Sequence, residues 1–123
     1  MKLHLNPSDA QYSFSGYGKG YVEVNGKRYT RSLILTPARV IEDWMAGAWE
    51  TLAAEHFAPL VELRPNVVLL GSGAKMRFPH PSLTRALIDA RIGVEVMDTQ
   101  AACRTYNILV GEGRSVAAAV MLE

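Results

Sequence analysis

Three apolar runs punctuate the second half of the chain: Val67-Val68-Leu69-Leu70, Val94-Glu95-Val96-Met97, and the nearly unbroken Val116 to Leu122. Each is set off by residues that end regular structure. Pro65-Asn66 and Gly71 bound the first, Gly93 precedes the second, and Gly111 and Gly113 precede the third. The first run reads as a strand buried on both faces. The three alanines of the last run also suit a helix, but seven residues following two glycines fit a strand in the sheet centre. Between the runs lie two stretches with helical spacing. From near Ser82 to Arg91, Leu83, Leu87 and Ala90 are expected to face inward. From Asp98 or Thr99, either of which suits an N-cap, to about Val110, a stripe of Ala102, Cys103, Tyr106 and Val110 repeats. Strand-helix-strand-helix-strand implies parallel pairing through crossovers.

The first half follows a different pattern. Tyr21-Val22-Glu23-Val24 and Arg28 to Leu35 flank Asn25-Gly26, a pair able to take φ > 0 at both central positions of a type I′ turn. Pro37 closes the second strand. Val40 to Trp44 reads as a short strand followed by a loop at Gly47. A helix is expected from near Thr51 to Leu63, with Leu52, Phe57, Leu60 and Val61 on one stripe, kinked or shortened at Pro59. Residues 1–19 are the loose segment. The whole predicts one α/β domain over residues 1–123, with a mixed β-sheet, an N-terminal antiparallel hairpin and a C-terminal βαβαβ half.

Composition bounds the chemistry. With 123 residues, 49% of them hydrophobic, the chain can bury a core without disulfides or a structural metal. A formal net charge of +1 gives no field that argues for nucleic acid or an anionic membrane. No apolar run is long enough to span a bilayer. The N-terminus carries one positive charge before Asn6, Pro7, Ser8 and Asp9, unlike a secretory signal. The first arginine is Arg28, so an Arg-rich presequence is not read either. The expected compartment is the bacterial cytoplasm, or else the chain is a trimmed mature form.

In parallel α/β units, ligands lie beyond the carboxyl ends of the strands. Two such ends are readable. Gly71-Ser72-Gly73-Ala74-Lys75-Met76-Arg77 follows one strand, and Asp98-Thr99, leading to Cys103 and Arg104, follows the next. If the strands are neighbours, these segments share a crevice. Its glycine backbone donors, Ser72, a helix N-terminus and the cations Lys75, Arg77 and Arg104 would suit an anion. A plain turn is the simpler reading, because Gly-Ser-Gly lacks the third glycine of the dinucleotide fingerprint and a P-loop Lys-Ser/Thr pair is absent. Cys103, the one cysteine, is either a nucleophile near a helix N-terminus or, more simply, a core residue on the apolar stripe. His4, His56 and His80 lie too far apart in sequence to suggest a zinc site, and no cofactor is implied. Arg104 either has a placed counter-charge in Asp98 or Glu95 or sits free at the surface. Tyr17, Tyr21, Trp44, Trp49 and Phe78 form the candidate interface set, the tryptophans reading first as fillers of the core's rim.

Several segments together carry a resemblance: Leu70-Gly71-Ser72-Gly73, Phe78-Pro79, the stretch from Glu95 through Met97-Asp98-Thr99 to Leu109, and Glu112-Gly113-Arg114-Ser115 through Ala119. They resemble a small family of single-domain proteins of unknown biochemical activity, whose mitochondrial relative is an assembly factor for respiratory complex I. The resemblance implies a three-layer α/β fold with a mixed sheet, and no agreed catalytic residues. It implies an interaction protein whose partners include respiratory complex subunits. The alternative is a small-molecule or anion-binding protein, or an enzyme, that uses the crevice.

Overall fold

Eight strands divide between two sheets in the computed structural model, which describes residues 11–122. β1 (Phe14–Gly18), β2 (Tyr21–Val24) and β3 (Lys27–Tyr29) form an antiparallel three-stranded sheet. β4 (Leu33–Leu35), β5 (Val40–Glu42), β6 (Val67–Gly71), β7 (Gly93–Met97) and β8 (Val116–Val120) form a mixed sheet in the order β5-β4-β8-β6-β7. β6 runs parallel to both β7 and β8, while β4 is antiparallel to β8 and β5. The helices are α1 (Ala58–Leu63), α2 (Arg85–Asp89) and α3 (Thr99–Gly111).

Period-2 alternation in the central strands sorts the core into two halves. Leu33, Leu35, Val67, Leu69, Val116, Ala118 and Val120 face α3 and the three-stranded sheet. Ile34, Val68, Leu70, Ala117 and Ala119 face α1, α2 and the 3₁₀ turns that precede them. Every residue of β4, β6 and β8 is buried, as strands covered on both faces must be. The result is the expected mixed α/β fold in three layers.

The hairpin turn forms as the sequence implies, with φ of 48° at Asn25 and 88° at Gly26. Its second strand is divided, however. β3 ends at Tyr29, and the chain crosses to the other sheet before Leu33. Leu33-Ile34-Leu35 needs cover on both faces, and only a place beside β8 supplies it. Ser32 anchors the crossing, its hydroxyl donating to the Met45 carbonyl at 2.5 Å and accepting from the Met45 N–H at 3.0 Å.

Phe14–Gly18, within the segment expected to be loose, is a strand. The Tyr21 ring covers Gly18, where a Cβ would collide with it. The free edge of β1 is closed by one side chain of α3: Phe14 N–H donates to Asn107 Oδ1 at 2.9 Å, and Asn107 Nδ2 donates to the Phe14 carbonyl at 2.8 Å. The readings that fall on residues 1–10 lie outside the described residues.

The helix expected over residues 51–63 is broken up. 3₁₀ turns occupy Trp49–Thr51 and Ala54–Phe57, and α1 begins only where Pro59 fits its first turn. Residues 82–91 likewise give a 3₁₀ turn, Pro81–Thr84, and then the short α2. Leu87 and Thr84 are buried and Leu83 packs half-buried against the core, whereas Ala90 is exposed. Among the described residues, no helix is long and apolar enough to cross a membrane.

Candidate functional site

The two segments after β6 and β7 do meet, because those strands are hydrogen-bonded neighbours. Their polar groups are spent on each other. Thr99 N–H donates to the Gly73 carbonyl and Gly73 N–H to Thr99 Oγ1, both at 2.9 Å. Thr99 Oγ1 donates in turn to the Met121 carbonyl at 2.7 Å, and Met121 N–H donates to the Gly71 carbonyl at 3.0 Å. Ser72 N–H donates to the Met97 carbonyl at 2.9 Å. The Ser72 hydroxyl donates to the Lys75 carbonyl at 2.6 Å and accepts the Arg77 N–H at 3.0 Å. Gly71, Ser72, Gly73 and Thr99, with the Met97 and Met121 backbone, thus form a hydrogen-bonded clasp over the ends of β6, β7 and β8. Asp98 caps α3, accepting the Ala101 N–H at 2.9 Å, so a carboxylate already occupies the helix N-terminus.

The cations diverge. Lys75 is exposed on the loop. Arg77 turns away, donating from Nη2 to the Ser72 carbonyl at 2.7 Å, with its guanidinium 5.0 Å from the Trp49 ring centroid and 3.9 Å from Glu50 Oε2. Arg104 points toward β1, with its guanidinium 6.0 Å from the Tyr17 ring centroid; the Tyr17 hydroxyl holds its pKa above the usual arginine value.

Cys103 is fully buried, and burial pushes its thiol up to about 12, against a smaller opposing pull from Arg104. His56 and His80 belong to the layer on the other side of the sheet, so neither pairs with Cys103. The thiol is expected to resist alkylation in the native state, with labelling limited by the rate of opening. Cys103→Ser should cost about 1–3 kcal/mol by placing a hydroxyl among apolar groups. Fast native labelling together with an unchanged Tm would refute the burial.

The aromatic candidates separate in the same way. Trp44 is a core residue, not a surface one: it meets Phe57 edge-on at 6.0 Å, and its Nε1 donates to the His56 carbonyl at 2.7 Å. Tyr21 is held between Gly18 and the Arg28 guanidinium, 3.9 Å from its ring centroid. Trp49 is half-buried against Arg77. Phe78 stands 70% exposed and Met76 54%, on the loop that Ser72 and Arg77 brace.

Beside the clasp, a depression of about 280 Å³ is lined by Gly18, Lys19, Gly73, Asp98, Gln100 and Leu122, among others. The β1–β2 turn contributes Lys19 to it. Sequence reasoning had no way to place that residue, because the turn belongs to the other sheet.

A family model described as a protein of unknown function (DUF498/DUF598) matches residues 14–121. The bovine NADH dehydrogenase [ubiquinone] 1 alpha subcomplex assembly factor 3 is 35% identical over 114 residues, 91% of this chain and 61% of its own length. This chain therefore spans less than two-thirds of that relative. A 13 kDa major membrane protein of Francisella tularensis is 28% identical over 98% of this chain and 99% of its own. The crystal structure of a Bordetella parapertussis protein superposes with a TM-score of 0.88 at 36% identity, covering 95% of this chain and 100% of that one. With the family model matched over residues 14–121 and the Bordetella structure alike in both sequence and fold, the chain belongs to the DUF498/DUF598 family.

Proposed function

We propose that this protein is an interaction factor that assists assembly of a membrane respiratory complex of the NADH dehydrogenase type, working from the cytoplasm through its 74–80 loop. The observation that carries the reading is the exposure of Phe78 and Met76 on a braced loop. An exposed aromatic on a loop fixed at its base is pre-organised as an anchor, since little order is lost when it docks. The relatives named as assembly factors support the choice of complex.

Phe78→Ala should leave Tm almost unchanged, since surface substitutions usually fall within about 0.5 kcal/mol. It should nevertheless fail to restore NADH:quinone oxidoreductase activity in cells lacking the protein. If deletion of the gene leaves the level and activity of that complex intact, the proposed role is wrong. Full complementation by Phe78→Ala would move the contact elsewhere on the surface.

The depression beside the clasp favours a second reading, a small-molecule site using Lys19 and Asp98. The glycine turn offers it few donors, because Ser72 and Gly73 N–H groups are already bonded. A metabolite that raised Tm would favour this reading over the first.

A further inference from the structure

Four non-glycine residues are held at positive φ among the described residues, and two of them are arginines that end helices. Arg64 caps α1 with φ 51° and ψ 49°, and Arg91 follows α2 with φ 62°. Glycine is the usual residue at such positions, because a Cβ crowds the left-handed backbone. Here two separate helices end alike, with the same side chain in place of glycine. Both arginines line one depression of about 620 Å³ at the N-terminal ends of β6 and β7, the far end of the sheet from the clasp. Among the described residues, neither guanidinium has an ion-pair or hydrogen-bond partner.

We propose that this depression binds a phosphate oxyanion, held by Arg64 and Arg91. The guanidinium fork matches phosphate geometry and stays charged at every relevant pH. The side-chain amide of Asn66 is a further donor on the lining; its backbone N–H and carbonyl are committed to Ser115 and Gly93. Pro65 and Ile92 are buried and give the depression an apolar floor for the organic part of a phosphate ester. Glu62 also lies on the rim, leaving two positive charges against one negative. Favouring the C-terminal ends of two short helices does not account for the pair, since a cation does so from the last turn without left-handed backbone. A free phosphate ester and a phospholipid headgroup present the same chemistry to this site.

The backbone supplies the test. Arg64→Gly with Arg91→Gly removes both guanidiniums and installs the residue that the left-handed backbone favours, so Tm should stay level or rise. Arg64→Asn with Arg91→Asn is the second pair, since asparagine also tolerates that backbone. Amide NMR titrations use inorganic phosphate and glycerol 3-phosphate. Sedimentation with phosphatidylglycerol-containing vesicles, against pure phosphatidylcholine, separates a headgroup from a free ester. The wild type should bind at least one of these probes, with amide shifts centred on residues 61–66 and 90–92 wherever the probe is soluble. Both variant pairs should bind at least about tenfold more weakly. The proposal is overturned if no probe binds, or if both pairs bind as tightly as the wild type. A lowered Tm in both pairs with unchanged binding would likewise overturn it, assigning the arginines to packing.

Discussion

Tyr106→Ala is expected to lower the unfolding free energy by about 3–5 kcal/mol, the cost of emptying a large aromatic site in a packed core. Tm should fall by at least about 10 °C. Tyr106 is fully buried, the largest such side chain among the described residues. It faces the five-stranded sheet from α3 and meets Phe14 of β1 edge-on, with ring centroids 5.2 Å apart and planes at 77°. Its hydroxyl donates to the Tyr12 carbonyl at 2.9 Å, and burial raises its pKa. The side chain therefore holds α3 and the three-stranded sheet in one core. Tyr106→Phe keeps the ring and leaves the Tyr12 carbonyl without this donor, and should cost about 1–2 kcal/mol. Urea unfolding of both variants checks the partition. Equal losses would mean that the hydroxyl, rather than the ring, carries the contribution.

Gly71→Ala is expected to cost about 2–4 kcal/mol, combining overpacking with the loss of neighbouring hydrogen bonds. A Cβ at this position would lie 2.9 Å from Thr99 Oγ1, 3.0 Å from Thr99 Cα and 3.1 Å from Val120 Cγ1. One of those contacts is backbone, so a change of side-chain rotamer cannot relieve it. Thr99 would have to retreat, and its bonds to Gly73 and to the Met121 carbonyl would lengthen together. Glycine is thus required here for close approach rather than for an unusual φ. Proton exchange should report the damage locally, with faster exchange at the Gly73, Thr99 and Met121 amides than at β2. Retained protection at all three would show that the clasp is not where the strain falls.

The C-terminal half was legible because strands covered on both faces betray themselves as apolar runs. Val67 to Leu70 and Val116 to Val120 have no solvent face to decorate with polar residues. Adjacency of the Gly71 and Asp98 ends was legible only on the condition that their strands are neighbours, which the pairing of β6 with β7 meets. Arg28 to Leu35 misled because one continuous strand-like stretch carries no mark of which sheet each part joins; that is settled by which surface remains uncovered elsewhere. β1 hid behind its glycines, Gly18 being covered by the Tyr21 ring and Gly16 by the Glu23 side chain, both from the next strand. The meeting of the two loops was legible, but not that their polar groups bond one another. The partners of Arg77, Trp49 and Glu50, belong to a 3₁₀ turn of the opposite layer, and no spacing rule connects them. Arg64 gave no signal beyond Pro65 behind it, because an arginine at a helix end is ordinary until its φ is known.

The side-chain amide that closes the edge of β1 lies 93 residues downstream of the backbone it satisfies. On a translating ribosome at roughly 5–20 residues per second, the hairpin waits on the order of 5–20 s before Asn107 is made. Through that interval the nascent β1 presents unsatisfied N–H and C=O groups beside Phe14, which still has no Tyr106 to pack against. Slower translation between Tyr29 and Asn107 lengthens the life of this bare edge, and is expected to raise the newborn chain's dependence on chaperones.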